Sequence, residues 1–287
     1  MLEPGLSIAA ALAIFAVAIA AGIFAAMLGL GGGVILVPVL TLVFHVPIHE
    51  AYGASFVAVI ATSSAGAATF VRDGYADVRL GMLLGAVTSA GGFAGALLAS
   101  SFSPRVLAVV FGAVLLAVGV AMLRDPSHDA PVEAPPVEPS PRPVFAMDGG
   151  YHDGLLRREV KYAVRRLPWG LSGGFLAGNL SGLMGGGGGI VAVPLMNLVM
   201  CVPLKAAVAT SNFLMGITVV SATLVWRAHG WIDPLVTAPA VLGVLIGAQL
   251  GSRLTVALPA VVLRRALFVV LLVVAAQMFL RAVRGGA

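Results

Sequence analysis

Long apolar stretches separated by short polar ones set the pattern of this chain. Ile8 to Leu28, Leu80 to Ala99 and Val106 to Leu123 run almost without a charge. Each reaches the roughly 20 residues a helix needs to cross a hydrocarbon core. The apolar segments number five before residue 124, at about 7–28, 33–46, 50–71, 80–99 and 104–123. Five more follow residue 167, at about 168–186, 189–202, 206–226, 234–252 and 260–280. The second of each set is short, about 14 residues or roughly 21 Å of helix. Each short segment opens on glycines, "GLGGGVILVPVL" from Gly29 and "GGGGGIVAVPLM" from Gly185, so the glycine-rich start is expected inside the membrane.

The two halves are copies. Subtracting 156 lays Gly187, Gly188, Gly189 and Pro194 on Gly31, Gly32, Gly33 and Pro38. The same offset pairs Pro203 with Pro47, Ser211 with Ser55, Thr218 with Thr62, Gly230 with Gly74, Asp233 with Asp77 and Gly251 with Gly95. Internal repeats of this kind are typical of secondary transporters. An odd number of crossings per half makes the repeats inverted, and a re-entrant short segment alters that parity. The predicted fold is therefore an all-α polytopic membrane protein: about ten membrane-embedded helical segments, eight to ten spans, in two five-segment repeats with two short half-helices.

Composition agrees. Of 287 residues 60% are hydrophobic and 10% charged, against about 25% charged in soluble domains; the mean hydropathy is +1.04. The N-terminus has Glu3 and no basic start, which predicts a retained first span rather than a cleaved signal peptide. The single cysteine, Cys201, rules out an intramolecular disulfide and reads as a small buried apolar residue. Net charge is +5, but the basic residues flank apolar spans, which excludes nucleic acid as the partner.

Three units follow: residues 1–124 as the first repeat, 125–167 as a connector, and 168–287 as the second repeat. The first part of the connector, "DPSHDAPVEAPPVEPSPRPV", cannot bury a core. Its second part, "GLLRREVKYAVRRL", places Leu156, Val160, Ala163, Val164 and Leu167 on one helical face and its basic residues mostly on the other, predicting an interfacial helix. With the connector in the cytoplasm, 13 of the 17 Lys and Arg lie inside and both termini outside.

Neither glycine run has the lysine of a phosphate-binding loop, and Val34 and Ile190 break the dinucleotide pattern. Buried in a membrane, glycines let the backbone leave the helix and gather N–H groups into an anion-binding nest. Gly31, Gly32, Gly33, Gly187, Gly188 and Gly189 are the candidates, with close packing as the alternative. Gly170, Gly174, Gly178, Gly182 and Gly186, every fourth residue, read as a packing face. Ser55, Asn179, Thr210, Ser211 and Asn212 are polar groups inside spans that can donate to an oxyanion, although a lone hydroxyl in a membrane helix usually bonds its own backbone. His49 and Glu50 are candidates for a proton relay, with a plain interfacial position as the alternative. No catalytic pair, metal-binding pattern or cofactor motif lies in the apolar spans.

"LGLGGGVILVPVL", "MGGGGGIVAVPLM" and the following "VPLKAAVATSNF" resemble the paired signatures of the sulfite exporter TauE/SafE family, also called the toluene sulfonate uptake permeases. The resemblance covers about 10–123 and 168–280. It implies transport of a small sulfur-containing anion such as sulfite, sulfoacetate or another sulfonate across the cytoplasmic membrane, with protons as a candidate coupling ion. The proline-rich connector departs from a minimal member. "TSN" stands where the first half has "ASF", so the two half-sites differ chemically. A carrier of another carboxylate or oxyanion, and an anion channel, are the alternatives. Nothing in the sequence sets an oligomeric state.

Overall fold

The computed structural model describes residues 8–98, 148–154, 157–184 and 189–284, with scattered helical positions between 109 and 121. The proline-rich half of the connector, much of the fifth segment, and Gly187 and Gly188 lie outside the described residues.

The chain is mostly helical. In order come α1 (Ile8–Leu28), α2 (Gly33–Leu42), α3 (Ile48–Arg72) and α4 (Val78–Leu98). Then follow strands β1 (Asp148–Asp153) and β2 (Arg158–Ala163), and α5 (Leu167–Met184). The last group is α6 (Gly189–Pro194), which continues as a wider π turn over Leu195–Val199, then α7 (Leu204–Ala228), α8 (Pro234–Ala257) and α9 (Ala260–Arg284). Six described helices, α1, α3, α4, α7, α8 and α9, are long and apolar enough to cross a membrane. That supports a polytopic membrane protein; ten spans is more than these helices supply.

The two short helices, as described, are too short to cross a bilayer core. Residues 33 to 42 make about 15 Å of helix, half of a bilayer core. Leu36 and Leu40 of α2 share an apolar cluster with Ile14 and Ala18 of α1 and with Ala51 and Ala54 of α3. So α2 folds back along α1 toward the end where α3 begins, and the break between them is deep in the bundle.

Local chemistry repeats at the offset of 156. Helices α3 and α7 span 48–72 and 204–228, each entered through a proline, Pro47 or Pro203, in the extended conformation. Positive φ recurs at His45 and Cys201, and at Gly74 and Gly230. Cys201 is half-buried at a left-handed turn rather than a fully buried core residue. Asp77 and Asp233 both cap the helix that follows, accepting from Leu80 N at 3.0 Å and Leu235 N at 2.9 Å.

Packing repeats too. Gly22 of α1 meets the backbone of Val244 in α8; 156 residues later, Gly178 of α5 meets the backbone of Thr88 in α4. Gly247 abuts Ile19 O and Gly251 abuts Ile23 O, just as Gly91 abuts Phe175 O and Gly95 abuts Asn179 O. Each half's first helix thus packs on the other half's fourth. These glycines let backbones touch where lipid gives no hydrophobic drive to associate. At the centre α3 and α7 lie antiparallel: the ring of His49 at the start of α3 packs, tilted, against Trp231 just past the end of α7, while Asp77, beyond the end of α3, donates its N–H to Thr210 near the start of α7.

The connector corrects one expectation. Residues 148–163 form an antiparallel hairpin, not an interfacial helix, with Tyr151 opposite Val160 and Asp153 opposite Arg158. The same residues that mark a helical face also alternate: Val160 and Tyr162 point inward between exposed neighbours, and β-branched and aromatic residues favour that pleated setting. The pairing strand, "DGGYHD", is short and polar, and Gly149 gives the Tyr162 ring room.

Candidate functional site

A helix whose end is buried leaves its last carbonyls without intrahelical partners and away from water. At and just past the end of α1 four carbonyls find donors. Leu30 N bonds Ala25 O at 2.9 Å. Asn212 Nδ2 donates to Ala26 O at 3.0 Å, Thr255 Oγ1 to Met27 O at 3.2 Å, and Ser211 Oγ to Gly29 O at 2.9 Å. All three side-chain donors belong to the second half. Asn212 Nδ2 also reaches Val208 O, at 3.0 Å in its own helix.

Beyond these caps the backbone turns sharply. Gly29, Gly31 and Gly32 have φ of 69°, 79° and 83°, the left-handed region that side chains disfavour. Gly32 then opens α2; Ile35 N and Leu36 N bond Gly32 O, which leaves the first N–H groups, of Gly33 and Val34, without an intrahelical acceptor and with partial positive charge. The first break meets the start of α6: a side chain on Gly189 would collide with the carbonyl of Gly29. The Met215 sulfur sits against both, 2.8 Å from where a Cβ on Gly31 would lie and 2.6 Å from one on Gly189. Val59 and Thr62 of α3 flank Gly31 and Gly32.

The expected site residues therefore divide. Gly31, Gly32, Gly33, Gly189, Ser211 and Asn212 come together around the break. In this conformation, however, Ser211 and both Asn212 amide hydrogens are engaged by backbone carbonyls. The Asn212 Oδ1 is buried without a partner and lies beside Gly66. Thr210 faces the other way and accepts the Asp77 N–H at 3.0 Å. Ser55 is fully buried in α3. Asn179 sits at the α4–α5 contact, its backbone against Gly91 and Gly95. His49 is exposed with its ring 4.8 Å from Trp231. Val59, which touches the break, is ten residues further along α3, about 15 Å away. Glu50 is half-buried beside His49 in the first turn of α3.

Three contributors escaped the sequence reading. Thr255 caps α1 from α8, Ser63 donates to the Asn212 backbone carbonyl, and Met215 fills the meeting point. Met215 alone carried a signal, four residues after Ser211 and so on the same helical face. A hydroxyl pair, Thr88 with Thr218 at 2.6 Å, closes the polar seam between α4 and α7. Among the described residues no group of three or more His, Cys, Asp or Glu could hold a metal ion.

The model for the family described as "Sulfite exporter TauE/SafE" matches residues 14–278. The chain belongs to the TauE/SafE family. Curated members resemble it along most of their length. The probable membrane transporter protein YdhB of Bacillus subtilis (strain 168) is 26% identical over 255 residues, covering 86% of this chain and 91% of that protein. A second from the same organism, YunE, is 25% identical over 247 residues, covering 82% and 84%. A probable membrane transporter protein of Xylella fastidiosa (strain 9a5c) is 27% identical over 229 residues, covering 79% and 78%. No solved structure matches the chain significantly. This TauE/SafE member is a membrane transporter, and its family is a transporter family rather than an enzymatic one.

Proposed function

We propose that this TauE/SafE member is a secondary carrier that moves a small sulfur-containing anion, such as sulfite, sulfoacetate or another sulfonate, across the cytoplasmic membrane. The observation that carries the reading is the contact of the Gly29–Gly32 break in one half with Gly189, which opens the short helix of the other, buried in the bundle. An oxyanion needs several donors at once, and backbone N–H groups of a left-handed glycine turn at a helix start supply them without a buried cation. Ser55, Asn179 and Thr210 to Asn212 remain part of the proposed surroundings, on the view that the Ser211 and Asn212 donors are exchanged from carbonyl to substrate as the breaks separate. The antiparallel α3 and α7, and the contacts repeated at an offset of 156, support an inverted repeat. In such a protein, rocking one half against the other exposes a single site to each side in turn. Met215 packed against both Gly31 and Gly189 favours a carrier over a channel, because the anion passes only when the helices move. Protons are the proposed coupling ion.

Counterflow in proteoliposomes tests this. Vesicles preloaded with unlabelled sulfite or sulfoacetate should accumulate the labelled anion faster than empty ones, and an imposed proton gradient should change the rate. Conductance without counterflow would make the protein a channel. Counterflow with acetate or sulfate alone would move the substrate out of the reduced and organic sulfur anions.

A further inference from the structure

Lys205, the second residue of α7, is 3% exposed in its side chain and stands at the end of the bundle that carries the hairpin. Its ammonium lies 3.2 and 3.1 Å from the two carboxylate oxygens of Asp153, at the tip of β1, and 3.4 Å from Val256 O at the end of α8. The Asp153 side chain is equally buried, at 4%. The same position in the first half is His49, which is exposed at the opposite end and rests on Trp231; among the described residues no carboxylate forms an ion pair with it.

A buried ammonium is costly to keep, and a packed leucine would serve a merely structural contact as well. Ser211 and the Gly29 break lie six residues further along α7, about 9 Å inward. Lys205 therefore stands between that end of the bundle and the proposed anion site. The hairpin also meets the bundle through ring packing and hydrogen bonds of uncharged donors. Tyr151 packs on Tyr75 at 5.0 Å, Gly154 N donates to the Tyr75 oxygen at 3.2 Å, and Tyr162 OH reaches Asp77 Oδ2 at 3.5 Å. The ion pair is the contact in which an oxyanion, with the charge and the acceptor atoms of a carboxylate, can take the place of Asp153.

We propose that Lys205 is an anion-binding side chain at this mouth of the transporter and that Asp153 is its built-in competitor, so that the hairpin is an autoinhibitory latch released by the anion. This rests on the carrier reading only for the nature of the anion.

Hydrogen exchange over residues 148–163 of the purified full-length protein tests it, with sodium sulfite, sulfoacetate, acetate or sulfate added at ionic strength matched by chloride. At saturation, at least one of these anions should speed exchange of the wild-type hairpin at least tenfold. Asp153→Asn and Lys205→Ala should exchange fast from the start and ignore the anion. The exchanged pair, Lys205→Asp with Asp153→Lys, should restore slow exchange yet remain insensitive, because position 205 then repels anions. A wild-type hairpin unmoved by every anion overturns the latch. So does an exchanged pair that responds like wild type, which would make the pair purely structural. Release of the hairpin without counterflow upholds the latch while removing the transport reading; counterflow with an unmoved hairpin removes the latch alone.

Discussion

The Ser211 hydroxyl donates to the carbonyl oxygen of Gly29 at 2.9 Å, across 182 residues of chain. With Asn212 on Ala26 O and Thr255 on Met27 O, it makes the broken end of α1 depend on side chains of the other half. The break that forms the proposed site is thus held open by its repeat partner.

Removing one of these caps leaves a buried carbonyl without a donor, at a cost of about 1–3 kcal/mol. Ser211→Ala, Asn212→Ala and Thr255→Ala should each lower the melting temperature in detergent. Asn212→Ala should cost most, since it removes two side-chain hydrogen bonds at once. Ser55→Ala, in the repeat-equivalent place of Ser211, is the comparison for anion affinity. If Asn212→Ala melts like wild type, the amide does not hold α1.

Glycine substitutions separate strain from collision. Gly32→Ala meets only ordinary contacts, with Ala25 and Thr62 at 3.4 Å, so its cost is the left-handed conformation, about 1–2 kcal/mol. Gly189→Ala drives a methyl into the backbone of Gly29, which has no flexible end to yield. It should abolish counterflow in protein that still inserts. Away from the break, Gly178→Ala strikes the Thr88 backbone whereas Gly174→Ala meets the Leu84 side chain at 3.2 Å. The first should unfold the α4–α5 contact, and the second should cost little. Thermal melts of the four variants, with counterflow alongside, distinguish these outcomes.

Alkaline pH should loosen the hairpin. Burial, then the neighbouring Asp77 carboxylate, pushes the Tyr162 phenol far above its ordinary 10.0, and burial raises Tyr75 as well. A group whose folded value is raised stabilises fully below its unfolded value and loses that stabilisation as pH climbs toward the folded one. Hydrogen-exchange protection over 148–163, taken relative to the intrinsic rate at each pH, should therefore be constant up to about pH 10 and fall above it. Tyr162→Phe, which cannot ionise, should carry the onset to higher pH. An unchanged onset would place the sensitivity elsewhere.

The basic residues predict sidedness. With Arg72, Arg79 and Lys205 on the same side as the connector, reporters fused at Ser140 and after Ala287 should face opposite sides of the membrane. A common side for both would contradict an inverted pair of repeats.

Helix positions were legible because a span is set by its own hydropathy: 7–28, 50–71 and 206–226 were expected, and Ile8–Leu28, Ile48–Arg72 and Leu204–Ala228 are found. The offset of 156 was legible for the same local reason, since glycines, prolines and capping aspartates impose the same turn wherever they recur. Position 149 to 163 was not. Its alternation and its helical face both fit Val160, and only a partner strand carrying Gly149 under Tyr162 decided for the hairpin. The partners of Asn212 and Lys205 were equally out of reach. A hydrogen bond or ion pair in a dry interior depends on what tertiary packing brings within 3 Å, and sequence spacing says nothing of a carbonyl on Ala26 or a carboxylate on Asp153.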